Sequence, residues 1–397
     1  MRNTWVLLLL ALIFQSALCA QTTSPHTQPG KLSDDQRLQV TALSHRAVDF
    51  IDKRSFKDAE RTLNKALEID PENATCLFNL ACVHAAMGKS QTALDDLRRA
   101  TDAGFTDFTH IETDPIFLKM RGLKGYEELV ARKAEITHAA GQRIVEELKE
   151  FIGDKYVFSV DEKRKFVFAV RSPSLLKSLE KSIDDEADSL GQLVFSHPSD
   201  EFIRIVMATP SDFARIETRP GVGGYYDDSA RMLFVHRPGA ELRHEFVHAI
   251  HAADQHALGE VHPIWLSEGL ATLYENPRTE AGNKSRLLPN DTWRLTEVQT
   301  AARRGTLIPL EELVKMKRAA FTNRADLAYG EAGSLLMYLH EREMLKGFYI
   351  GYTEHYEQDP SGQAAIERIT GKKLKDLQAE WVQWLADRTP PPRPRVE

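Results

Sequence analysis

Cysteine is scarce in this chain, with three residues in 397. Cys19 sits in a leader-like N-terminus, so only Cys76 and Cys82 lie beyond it. Those two are six residues apart in a predicted helix, about 9 Å along its axis, too far for an undistorted disulfide. A fold held together by disulfides is therefore excluded, and both thiols are expected to be buried by helix packing. Long apolar runs are lacking too. The run Trp5–Phe14 covers ten residues, too few to span a bilayer comfortably, and no other stretch approaches transmembrane length. Nor is there an excess of basic charge. The 51 basic and 58 acidic residues give a formal charge of -7 with no long basic stripe, so no nucleic acid partner is expected.

What is present reads as soluble and globular, with 42% hydrophobic and 27% charged residues. The length calls for two domains plus a targeting segment. Met1-Arg2-Asn3-Thr4 carries positive charge, an apolar run follows, and Ser16-Ala17-Leu18-Cys19-Ala20 supplies small residues. This is the pattern of a secretory signal peptide over residues 1–20, which implies a secreted or periplasmic protein with no transmembrane anchor after cleavage. Lipidation at Cys19 is the alternative, and Leu18 stands where such signals want a small residue. Residues 21–32 are polar, contain Pro and Gly, and read as a flexible linker.

A repeat follows. Ala47 and Ala81, Ala59 and Ala93, Leu63 and Leu97, and Ala66 and Ala100 are each 34 residues apart. That is the period of the tetratricopeptide helix–turn–helix unit. Small residues at these positions let paired helices approach closely. Asp70-Pro71 closes one unit and Gly88 breaks between the helices of the next, while Phe105 stands where a closing proline belongs. The segment 33–137 resembles about two tetratricopeptide units, with a helical stretch near 110–135 as their cap. It offers either a groove for a protein partner or a spacer.

From residue 138 to 388 the texture is α+β. Runs at Phe166–Val170, Phe202–Val206 and Met232–Val235 read as strands, 172–192 as a helix, and everything after Ala240 as helices and loops. The proline-rich residues 389–397 read as a disordered tail. N-x-S/T sites at Asn73, Asn283 and Asn290 matter only in a eukaryotic secretory pathway and are set aside.

The chemistry concentrates in Arg243-His244-Glu245-Phe246-Val247-His248. On a helix, residues four apart point within about 40° of one another, so both imidazoles can reach one metal ion. Glu245 projects beside that ion, where it can take a proton from water. The apolar flanks Phe246, Val247, Ala249 and Ile250 imply a largely buried helix, in which bare His and Glu would be costly. A third ligand is needed, and Glu268 in Trp265-Leu266-Ser267-Glu268-Gly269-Leu270-Ala271 is the candidate, twenty residues after His248. Gly259 and Pro263 allow a short connection and a return helix. Zinc suits this donor set.

H-E-x-x-H followed by W-x-x-E-G-x-A resembles the gluzincin zinc metallopeptidases, in particular their peptidase-MA-like branch. Gly223-Gly224-Tyr225-Tyr226 leading into Met232–Val235 resembles the strand that family places beside its active-site helix, where extended substrate pairs. Ala328-Tyr329-Gly330-Glu331-Ala332 resembles a later helix opening. The resemblance covers roughly residues 150–388. It implies a zincin-like domain after the repeats that hydrolyses peptides or proteins. In it His244, His248 and Glu268 hold zinc, Glu245 is the general base and Tyr329 is an oxyanion donor. A rival ligand set continues the series with His251 and Asp254, as metzincins do. It meets a steric objection, because His251 stands where those enzymes turn sharply at glycine. His251 is instead expected to be partly exposed or to support a ligand. A contrasting expectation is an exported scaffold whose repeats bind a partner and whose zinc fold is structural or inactive.

Overall fold

Alanines and leucines at a period of 34 fold as they should. This computed structural model describes Leu32 and residues 34–199, 201–219 and 222–390. The proposed signal peptide, the linker apart from Leu32, and residues 391–397 lie outside the described residues. Helices α1 (Asp34–Asp52), α2 (Phe56–Ile69), α3 (Ala74–Ala86) and α4 (Ser90–Asp102) pack as successive antiparallel neighbours. The eight repeat positions, Ala47, Ala59, Leu63, Ala66, Ala81, Ala93, Leu97 and Ala100, all have 0% exposure. Cys76 and Cys82 are buried free thiols. Gly88 takes a φ of +75° at the α3–α4 turn. Phe105, in place of a proline, stacks on Phe78 with ring centroids 4.1 Å apart.

The expected cap near 110–135 is not one helix. It divides into α5 (Phe108–Thr113), a 3-10 turn (Pro115–Phe117), α6 (Lys124–Ala131) and the start of α7 (Lys133–Ile152). Asp114 causes the break: its carboxylate accepts from the Ile116 N–H at 2.8 Å, and Pro115 has no N–H to offer. The chain divides into two compact units, the first running through Glu147 and taking in Val160–Lys165 and Asp200–Phe202, the second holding the rest from Leu148. The division therefore falls inside α7, ten residues beyond the expected boundary at 137/138. Buried apolar residues recur along α7 on both sides of the division, Ile136, Ala140 and Val145 before it and Leu148 and Ile152 after it, so no composition break marks it.

After α7 come β1 (Val157–Asp161), β2 (Phe166–Val170), α8 (Pro173–Leu193), β3 (Ile203–Met207), α9 (Pro210–Ile216), β4 (Gly224–Asp227) and β5 (Met232–Val235). The sheet order is β1-β2-β3-β5-β4. Strands β2, β3 and β5 run parallel, while β4 pairs antiparallel with β5, Gly224 opposite Val235 and Tyr226 opposite Leu233. All five residues of β2 are buried, as a central strand covered on both faces requires. Edge strands β1 and β4 are half-buried along their lengths, which is why neither shows a clean apolar signal.

The helices that follow are α10 (Ala240–Leu258) and α11 (Ile264–Tyr274). A hairpin of β6 (Arg278–Glu280) and β7 (Asn283–Leu288) comes next. It corrects the expectation that nothing after Ala240 is strand. Neither hairpin strand has a buried residue, so no apolar alternation announces it. The chain ends in α12 (Leu295–Arg304), α13 (Leu310–Leu313), α14 (Arg318–Asn323), α15 (Ala325–Glu341), α16 (Leu345–Thr353), α17 (Gln363–Thr370) and α18 (Leu374–Ala386). The architecture is α+β, with a helical repeat region first. Among the described residues no helix is long and apolar enough to cross a membrane.

Two glycines let α11 and α15 cross closely. A Cβ on Gly269 of α11 would lie 3.1 Å from the Ala332 Cβ, and one on Gly333 of α15 would lie 2.7 Å from Thr272 Cγ2. Without those methyls the two backbones nearly touch, which brings Tyr329 on α15 to the same side of α11 as Glu268.

Candidate metal centre

Helix α10 ends at Gly259 in the left-handed conformation, and Pro263 caps the start of α11. The chain thus turns back within a few residues, as the sequence spacing implies. Trp265 locks the return: its ring is fully buried and its indole N–H donates to the Ser361 carbonyl at 2.9 Å. Ten of the eleven residues of α11 are buried, Glu268 among them at 6% exposure.

The reversal brings His244, His248 and Glu268 together, with one donor atom from each lying within 4.8 Å of the others. Glu268 Oε2 is 3.3 Å from His244 Nε2 and 3.2 Å from His248 Nε2. Donors about 2.0–2.1 Å from a tetrahedral ion sit about 3.3 Å from one another, so these separations fit a small cation. The donor chemistry fits as well, being two imidazoles and a carboxylate on two buried helices.

Electrostatics couple the three side chains strongly. Burial pushes the Glu268 carboxyl up, yet His248 and His244 outweigh it and hold its pKa well below the usual carboxylate range. Burial pulls His244 down, while Glu268 and Glu275 overcompensate and lift it to about 10. Glu186 provides a contrast. It is equally enclosed but has no hydrogen-bond partner on either oxygen, and burial lifts its pKa to about 8 against the weaker pull of Arg243.

Glu245 lies on α10 beside the cluster, where its Oε2 accepts from the Tyr226 N–H of β4 at 2.9 Å. That bond fixes the carboxylate from the strand side and explains why Gly224-Tyr225-Tyr226 adjoins the site. Tyr329 lies next to the cluster too: its ring centroid is 6.1 Å from that of His244, at 23°. Burial, with the charge of Glu268, raises its phenol far above neutrality. The phenol stays protonated and keeps its O–H to donate.

Three further residues surround the cluster, Glu275, Arg294 and Arg318. Glu275 Oε2 lies 3.4 Å from His244 Nδ1, and its Oε1 accepts from Arg294 Nε at 3.1 Å. Accepting the Nδ1 proton leaves His244 Nε2 free for the cluster. Glu275 follows Glu268 by seven residues, two helical turns, so the shared face was legible. Arg294 and Arg318 arrive from distant segments and had no local marker; Arg318 Nη1 is 3.9 Å from Glu268 Oε1.

The rival set is not assembled. His251 is 1% exposed, which corrects the expectation of partial exposure, and its Nε2 lies 2.7 Å from His262 Nδ1. Asp254 accepts from the Ser196 and His197 amides at 3.1 and 2.9 Å and from the Tyr349 hydroxyl at 2.6 Å. Both therefore belong to a separate buried polar network.

Comparison with protein families identifies a tetratricopeptide repeat at residues 62–95 and a domain described as protein of unknown function (DUF1570) at residues 239–360. The repeat match spans α2 to α4, where the period of 34 was read. The second match begins at Gly239, the residue before α10, and contains His244, Glu245, His248, Glu268, Glu275, Arg294, Arg318 and Tyr329. No curated protein and no solved structure matches the chain.

Proposed function

We propose that this chain is a zinc-dependent peptidase of the gluzincin type, acting outside the cytoplasm on peptides or proteins. The observation that carries the reading is the convergence of His244 Nε2, His248 Nε2 and Glu268 Oε2, with Glu245 beside them on the same helix. Zinc bound by those three residues supplies Lewis acidity, which lets water lose a proton near neutral pH. Glu245, steadied by the Tyr226 N–H, takes that proton and returns it to the leaving amine. Glu275 holds His244 in the tautomer whose Nε2 lone pair points inward. Tyr329, its phenol still protonated, donates a hydrogen bond to the charge developing on the carbonyl oxygen. Export is inferred from the charged, apolar and small-residue order of Met1–Ala20.

The test pairs metal analysis with digestion of a peptide library by the full chain and by E245Q. Wild type is expected to hold about one zinc per chain and cleave. E245Q should hold the same zinc and lose at least about a hundredfold in rate, as removal of a general base does. Full activity in E245Q overturns the mechanism. The repeat at 62–95 favours a second reading, a scaffold that recruits a protein partner around an inactive centre. Zinc retained by wild type with no peptide cleaved would select it.

A further inference from the structure

Two guanidinium groups border Tyr329, and neither is needed to hold a cation. Arg294 is engaged: it donates to Glu275 and lies 5.3 Å over the Tyr329 ring. Arg318 is not. It opens α14, a short helix pinned by Phe321, which is fully buried with its ring centroid 5.3 Å from that of Tyr329. The Arg318 side chain is 56% exposed, and its closest anionic atom, Glu268 Oε1 at 3.9 Å, is beyond hydrogen-bond length. Among the described residues its guanidinium nitrogens make no hydrogen bond.

This position is unfavourable for an idle cation. Glu268 gives its other oxygen to two histidines, and a divalent ion bound there repels a guanidinium a few ångströms away. The carboxylates of Glu245, Glu268 and Glu275 then face a divalent ion plus Arg294 and Arg318, one positive charge in excess. An anion is what would balance it. A guanidinium presents a planar fork matched to a carboxylate, which lysine or a neutral donor cannot reproduce.

We propose that Arg318 binds a carboxylate of the substrate beside the scissile bond, so that the preferred substrates are peptides with a negative charge there. The inference rests on the peptidase reading above and adds the substrate class. The carboxylate comes from the peptide C-terminus or from an Asp or Glu side chain, and the experiment separates the two.

Full-length E245Q, loaded with zinc so that ligands bind without being cut, is titrated calorimetrically with acetylated pentapeptides. An amidated peptide without charge is the reference. One arm restores its free C-terminal carboxylate, and the other places Glu at each position in turn. At least one arm is expected to bind about tenfold tighter than the reference, and that arm identifies the source. Zinc attracts carboxylates by itself, so the deciding comparison is with E245Q carrying R318M. There the preference should shrink to within about twofold, and R318K should recover only part of it. Equal binding of charged and neutral peptides overturns the proposal, as does a preference that survives R318M. Metal analysis of the same samples separates the two failures. Zinc retained without a carboxylate preference ends this inference alone, whereas no zinc and no peptide binding ends the peptidase reading with it.

Discussion

Each unit of the molecule buries a cluster of histidine and carboxylates, and the two are built on opposite plans. In the repeat unit His84 is the centre: Nδ1 meets Asp96 Oδ2 at 2.5 Å and Nε2 meets Glu60 Oε1 at 2.9 Å. Both ring nitrogens have a partner of their own, Arg99 and Lys89 add cations to the carboxylates, and nothing is left to bind. In the second unit the roles invert, since one carboxylate oxygen is shared by two imidazoles at longer distances. The same residue types thus make a closed structural clasp in one place and a convergent set of donors in the other. Residue identity does not separate the two cases. The number of donors aimed at one point does.

The largest effect that would break this comparison comes from removing a histidine on each side. H248A should abolish stoichiometric zinc and lower peptide hydrolysis by at least about a thousandfold, since a catalytic site needs its three protein ligands. H84A should leave zinc content unchanged and instead lower stability by about 1–3 kcal/mol, the cost of removing one of the two partners of buried Asp96. Metal analysis and calorimetry of the two variants decide it; zinc lost from H84A, or kept by H248A, would mean the plans are not distinct. A smaller effect sharpens the role of Glu275. E275Q should weaken zinc affinity about 10- to 100-fold in a chelator competition, the usual consequence of losing the group that orients a ligand histidine. Unchanged affinity would leave Glu275 as packing only.

The smallest effect concerns Glu186, the buried carboxyl with no partner. Its pKa rises on folding, to about 8 from an ordinary 4.5. Because the folded state holds the proton more tightly than the unfolded chain, stability is full below about pH 4.5 and drains away as pH climbs toward 8. E186Q should therefore flatten the decline in Tm between pH 5 and 9 and melt a few degrees above wild type at pH 9. A parallel decline in both proteins would show that Glu186 finds a partner.

Much of this was readable beforehand, for identifiable reasons. The helical pairs follow from a period that every repeat position obeys, and the donor cluster follows from the i, i+4 geometry of His244 and His248 and a short return to Glu268. Strands β1, β6 and β7 were not readable, because their side chains share no buried face. The full burial of His251 was not readable, since a helix buried on nearly all sides hides a polar residue as readily as an apolar one. Arg318 and Arg294 were invisible for another reason: what makes them matter is folding that brings residues 294 and 318 to position 268, and no local pattern encodes that.

The contact between α11 and α15 has a mechanical consequence. Where helices meet through side chains, a rotamer change can absorb a disturbance; where they meet backbone to backbone, no such slack exists. The spacing of the α11 and α15 main chains, which carry Glu268 and Tyr329, is therefore set at Gly269 and Gly333. It should change little with temperature, with ligand or with repacking of the surrounding core.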